Sequence, residues 1–218
     1  MSKKNHLDYL DKTFLEELNY KIWSTKGSRF NASTRLSKMA RWSNFSLTML
    51  SVYLTAIGLI LVYNLNISTA KMDENLIAYS ITCLSILVLV LGQIEGAKDY
   101  NMKAKEFHNC GLELSKIYND LRIYKTLKAE PTLEEKEQFA KNISDSYQRV
   151  LEKHENHQQI DNDKFKTTKA EFHSLNPWNV FVINIRYYLK TIFIFHLLIF
   201  LPPIIIITLL IRNWRFSG

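Results

Sequence analysis

Apolar and polar positions fall into long blocks along this chain. Between Arg41 and Lys71 no Lys, Arg, Asp or Glu interrupts the sequence, and inside that gap lies FSLTMLSVYLTAIGLILVY, Phe45 to Tyr63. As a helix rising about 1.5 Å per residue, this run covers about 28 Å, close to the hydrocarbon thickness of a bilayer. A polar turn, NLNISTAKMDEN, follows. Then comes IAYSITCLSILVLVLG, Ile77 to Gly92, inside a second charge-free gap from Asn75 to Ile94. Helices in soluble cores seldom run that far without a charge, so the two runs predict a transmembrane helical hairpin over residues 43–96. A third run, TIFIFHLLIFLPPIIIITLLI, Thr191 to Ile211, is also free of formal charge. Its Pro202-Pro203 pair removes two backbone donors that would serve the carbonyls of Leu198 and Ile199. Segment 189–212 is therefore expected to be a C-terminal membrane helix, either kinked or re-entrant.

The polar blocks carry helical periods of their own. In residues 1–42, Leu7, Leu10, Phe14, Leu18 and Ile22 recur at spacings of 3, 4, 4 and 4, one stripe of an amphipathic helix that leads into the first span. Gly27 is expected to interrupt or bend it. Residues 97–188 read as a helical bundle. Phe107, Leu114 and Leu121 recur every seven residues, and Cys110, Ile117 and Tyr124 fall three after each, an a/d seam. No Pro lies between Gly92 and Tyr100, so the second span is expected to continue straight into this helix. Pro131 ends it. Thr132 and Glu135 then make a capping box for a new helix reaching about His157, with Ile143, Tyr147, Val150 and Leu151 on one stripe. The short break implies an antiparallel pair, with the seam packed inside the chain. Residues 154–169 are polar and read as a helix end. Asn176 and Pro177 supply an N-cap and first position for the next helix, PWNVFVINIRYYLK, whose aromatic and cationic composition is interfacial. The fold class expected is all-α: a transmembrane hairpin, a cytoplasmic helical bundle and a third, Pro-kinked membrane segment.

Charge adds orientation. The mean hydropathy of −0.13 averages the apolar spans with segments dense in Lys and Glu. The net charge is +7, and nine cations precede the first span: Lys3, Lys4, Lys12, Lys21, Lys26, Arg29, Arg35, Lys38 and Arg41. The hairpin turn holds only Lys71. The positive-inside rule puts the N-terminus and residues 97–188 in the cytoplasm, with Trp42 at headgroup level. The first span begins too late, after too polar a leader, for a cleaved signal peptide. Cys83 and Cys110 make no disulfide framework and read as reduced.

Candidate chemistry is sparse. No GxGxxG or GxxxxGK[ST] loop occurs. His154, His157, Asp161 and Asp163 gather four metal-ligand types within ten residues, but two of them fall in a polar helix end and no Cys joins them, so no metal site is assigned. His108 and Cys110 point to different helix faces. His196 stands alone in an apolar run and reads as a packed neutral histidine. Neither an enzyme, a cofactor nor a specific nucleic-acid site is indicated. The hairpin is more informative. Asn44, Thr48, Ser51, Thr55 and Gly58 share one face of the first span, and Ala78, Thr82, Ser85, Leu89 and Gly92 repeat the spacing in the second. Such stripes allow close helix packing or line a water-filled pore. Glu95 lies at the inner mouth, where a ring of acids would favour cations.

Two words in the sequence, IWSTKGSRFNAS before the first span and ENHQQID after the heptad helix, carry a resemblance. With the two spans between them, residues 10–212 resemble the SLATT family. That resemblance implies a bacterial inner-membrane protein with two close spans and a helical cytoplasmic extension. It also implies an effector of anti-phage defence that self-associates and permeabilises the membrane, causing growth arrest or cell death. Its partner would be a reverse transcriptase or a nucleotide second-messenger system, and the stand-alone, reverse-transcriptase-associated branch is the nearest. The alternative function is a non-toxic regulatory or assembly subunit of a transporter.

Overall fold

The computed structural model describes residues 12–63, 74–127 and 130–216. Their ordered elements are seven helices: α1 (Phe14–Val62), α2 (Glu74–Gly96), α3 (Tyr100–Leu127), α4 (Leu133–Lys153), α5 (Gln159–Thr167), α6 (Pro177–Thr191) and α7 (Phe193–Phe216). No strand occurs among the described residues, and the fold is all-α. The hairpin turn, with Lys71, and the N-terminal Leu7 and Leu10 lie outside the described residues.

The chain divides into two compact units. One takes in the chain up to Leu36 together with Asn101–Tyr187, and the other takes in Ser37–Tyr100 and Tyr188–Gly218. In the first unit the heptad seam is the core. Cys110, Leu114, Ile117 and Leu121 of α3 pack with Ile143, Tyr147 and Val150 of α4, as the stripes anticipated, and Leu18 and Ile22 of α1 join them. Tyr124 stacks on Phe139 with ring centroids 3.8 Å apart. Both anticipated helix starts are present. Thr132 and Glu135 form the capping box of α4, with Glu135 N 3.3 Å from Thr132 Oγ1 and Thr132 N 3.0 Å from Glu135 Oε2. Asn176 Oδ1 accepts from Asn179 N at 2.7 Å to start α6.

Three local expectations change. Gly27 does not interrupt α1, which runs unbroken from Phe14 to Val62. Its missing side chain instead admits a ring: a Cβ there would meet Phe165 Cδ2 at 2.1 Å. The second span and α3 are separated by a short break, α2 ending at Gly96 and α3 starting at Tyr100. Lys98 N and Asp99 N bond back to the carbonyls of Glu95 and Gly96 at 3.3 Å, and Asp99 adopts a φ of 48°, ending the helix without a Pro. Aspartate tolerates this left-handed conformation better than most residues. Finally, the polar stretch after α4 is not only a helix end, because it contains α5.

The second unit turns apolar side chains outwards. In α2, Leu84, Ile86, Leu87, Leu89 and Val90 are all exposed, and the most apolar window of that helix buries none of its residues. In water this surface would be untenable for a monomer. Among the described residues, two helices are long and apolar enough to cross a membrane, and a third crossing results if α6 and α7 count as one bent span. That pair bends by 65°. The break falls at Ile192, whereas Pro202 and Pro203 lie inside α7, which continues through them. One of the two freed carbonyls is served from α1: Tyr53 Oη donates to the carbonyl of Ile199 at 3.0 Å, the acceptor that Pro203 leaves without a backbone partner.

Candidate functional site

Two polar constellations stand out, one in each unit. The first to consider is the hydroxyl stripe of the hairpin. Thr48, Ser51 and Thr55 of α1 and Ser85, Leu89 and Gly92 of α2 line one open groove of about 520 Å³, completed by Leu47, Leu54 and Val88. Each hydroxyl proton is spent within its own helix. Thr48, Ser51 and Thr55 donate to the carbonyls of Asn44, Leu47 and Ser51 at 2.8–3.0 Å. Thr82 and Ser85 donate to Ala78 and Ile81 at 2.9 and 2.8 Å. What each hydroxyl oxygen still offers is acceptor capacity, the property of a surface that can be wetted.

The remaining residues of the two stripes lie elsewhere. Asn44, Gly58, Ala78 and Thr82 do not line this groove. A Cβ added to Gly58 or to Gly92 would find nothing within 4 Å, so neither glycine sits in a close helix contact here. Glu95 is engaged: Ser43 Oγ donates to its Oε2 at 2.9 Å and Lys98 pairs with its Oε1. The packed face of α1 in this unit is a different one, carrying Ala40, Ser43 and Ser46. Sequence spacing gave the stripe but not the partners of Ser43 or Tyr53, which lie off it.

The second constellation joins the two sequence words. Arg35 binds Asp161 through two bonds, Nε to Oδ1 at 2.8 Å and Nη2 to Oδ2 at 3.1 Å, with both side chains almost wholly buried. The same Oδ2 accepts from Gln158 N at 3.1 Å, so one carboxylate also caps α5. Asn31 Nδ2 donates to the Asp161 carbonyl at 3.3 Å, and Ser28 Oγ lies 3.3 Å from Asn162 Oδ1. Arg29 Nη2 donates to Asn156 Oδ1 at 3.2 Å. Fixed in this way, α5 brings Phe165 against Gly27 and Trp23, with the Trp23 and Phe165 rings edge to face at 4.7 Å.

This arrangement disperses the His/Asp quartet. His154 Nε2 sits 3.3 Å from Glu113 Oε1, Asp161 belongs to Arg35, and Asp163 accepts from Gln159 at 3.0 Å. Among the described residues no three His, Cys, Asp or Glu side chains converge on a metal position. Burial of the His157 ring and the neighbouring Arg29 charge lower its pKa from the ordinary 6.5, with Asp161 opposing. His196, in α7, is packed among rings. Its Nδ1 lies 2.8 Å from Tyr188 Oη and its ring 4.4 Å from that of Trp42.

No curated protein and no solved structure is found to be similar to this chain. A protein family does match, over residues 11–209, a span that includes both sequence words, the two long apolar helices and the first two-thirds of α7. The chain thus belongs to the SMODS and SLOG-associating 2TM effector domain family 5.

Proposed function

We infer that this chain is a membrane effector of a bacterial anti-phage defence system, held silent until activation and then permeabilising the inner membrane through an oligomer. Growth arrest or cell death follows. The observation that carries this reading is the groove lined by Thr48, Ser51, Thr55 and Ser85 between two long apolar helices. Hydroxyl faces in hydrocarbon gain by meeting one another or water rather than lipid. A monomer leaves this face open, and several copies arranged around it enclose a hydrated lumen. Family membership supports the effector role. The N-terminus and the first unit are cytoplasmic in this reading, with the basic run before the first span facing that side. The family's name associates its members with SMODS and SLOG domains. For this chain we expect a reverse transcriptase or a nucleotide second-messenger system as activating partner, the reverse-transcriptase-associated branch being the one resembled.

Induced expression together with the trigger system, read with a potential-sensitive dye, tests the proposal. Wild-type protein depolarises cells. Thr55→Leu, with unchanged level in the membrane, abolishes depolarisation by drying the lumen. Full depolarisation by Thr55→Leu would remove this face from the pore. Absence of any depolarisation by the wild type favours the regulatory-subunit alternative.

A further inference from the structure

Arg29 is the largest fully buried side chain among the described residues, with no exposed surface. It lies on the same face of α1 as Ile22 and Leu36, seven residues from each. Its Nη2 bonds to Asn156 Oδ1, but Nε and Nη1 are buried without an acceptor. The Phe107 ring lies 5.5 Å from its Cζ. Asp161 is the carboxylate of this network, and its two oxygens are taken by Arg35 and by Gln158 N. The half-buried His157 brings another unpartnered atom, its buried Nδ1. Asn156, the cover on that side of the guanidinium, belongs to the connector between α4 and α5, which is extended at His154 (φ −122°, ψ 145°) and again at Gln158 (φ −77°, ψ 152°).

Six residues apart on one helix, two arginines are therefore buried on opposite terms. Arg35 has a bidentate counter-ion. Arg29 has one neutral hydrogen bond and an aromatic face. Withdrawing a guanidinium from water without a counter-charge is strongly unfavourable, and one neutral acceptor with a cation–π contact offsets only part of it.

We propose that Arg29 is a release element: it keeps the α4–α5 connector close to opening, and swinging that connector away to expose the guanidinium is the regulated motion of the first unit. The Arg35–Asp161 pair anchors α5 against this tendency, so the opening is local to the connector. The sequence word ENHQQID accordingly contains both parts of the device, with Asn156 and His157 on the cover and Asp161 at the anchor.

Hydrogen exchange of the purified full-length protein in lipid nanodiscs tests this, followed by mass spectrometry over residues 154–162. Arg29→Met keeps length and removes charge. Asn156→Asp keeps Arg29 and supplies a carboxylate. Both should slow exchange of the connector by about tenfold or more, the scale on which buried charges trade against apolar replacements. Arg29→Lys, which keeps the charge, should not slow it, and Arg35→Met should accelerate it. Exchange that is unchanged or faster in both Arg29→Met and Asn156→Asp overturns the proposal. So does an Arg29→Met chain that fails to fold, since Arg29 would then be a net stabiliser. A second readout rests on the effector role: the two slowing variants should need more trigger to depolarise cells. The exchange measurement needs no toxicity, so a failure of the pore reading leaves it standing.

Discussion

The two units of this chain solve opposite solvent problems with the same secondary structure. The first buries apolar side chains from α1, α3 and α4, and in addition buries Ser28, Arg29, Arg35 and Asp161. The second exposes Leu, Ile, Val and Phe along α2 and α7 and turns the hydroxyls of its Thr/Ser stripe inward to their own helix's backbone carbonyls. What is buried in one is what a bilayer would make costly to leave unpaired in the other. The lesson is that polarity alone does not locate the interior of this protein. In the first unit a charge can be core, and in the second a leucine can be surface.

The largest test of that contrast is at the buried pair. Asp161→Ala leaves Arg35 without its counter-ion and removes the cap of α5, so we expect a loss of about 3–5 kcal/mol in the stability of the first unit. Asp163→Ala, two residues away, loses only a side-chain contact with Gln159 and should stay within about 0.5 kcal/mol of the wild type. Urea unfolding followed by circular dichroism separates the two. Equal effects would mean that the Arg35–Asp161 bonds contribute nothing beyond surface charge.

A second test uses one residue type on one helix. Gly27→Ala places a Cβ 2.1 Å from the Phe165 ring, forcing α5 to shift, at a cost of about 1–3 kcal/mol. In Gly58→Ala the new Cβ meets nothing within 4 Å. There the higher helix propensity of alanine should make the change neutral or slightly stabilising, by up to about 1 kcal/mol. Thermal unfolding of both variants checks the difference. A tolerated Gly27→Ala would show that Phe165 is free to move.

Much of this architecture was legible in the sequence, for a definite reason. Spans, the Phe107–Leu121 seam, the Thr132 capping box and the Asn176 cap are each set by residues within one or two turns of one another. The anchor was not legible. Asp161 and Arg35 are 126 residues apart, and each carries a misleading local signal. Asp161 sits in a polar tract with few apolar residues, which reads as solvated. Arg29 and Arg35 sit in a basic run before a span, which reads as headgroup charge, yet both are buried. One signal pointed the other way: Arg29 falls in register with Ile22 and Leu36, on the buried stripe of α1. In the hairpin, spacing found the stripe of Thr48, Ser51 and Thr55 but not the face that packs. Ser43 and Tyr53 gain their partners from Glu95 and from a proline-freed carbonyl distant in sequence.

The smallest expected effect concerns pH, and it too should divide the units. The folded state holds His157 neutral, because burial and the Arg29 charge both disfavour its imidazolium, while Asp161 opposes them more weakly. Its folded pKa therefore lies below the ordinary 6.5 of the unfolded chain. Between those two values the unfolded state binds a proton that the folded state does not. Stability is thus fully present above about 6.5 and declines as the pH falls through that window. One proton sets a ceiling of about 1.4 kcal/mol per pH unit, and the half-exposed ring, screened by solvent, should give less. Hydrogen exchange at pH 7.5 and 5.5, corrected for intrinsic rates, should show this loss in peptides of α4 and α5 but not in those of α2. His157→Gln should remove it. A slope that survives His157→Gln would assign the proton to another group, and equal losses in α2 would mean that the two units do not unfold independently.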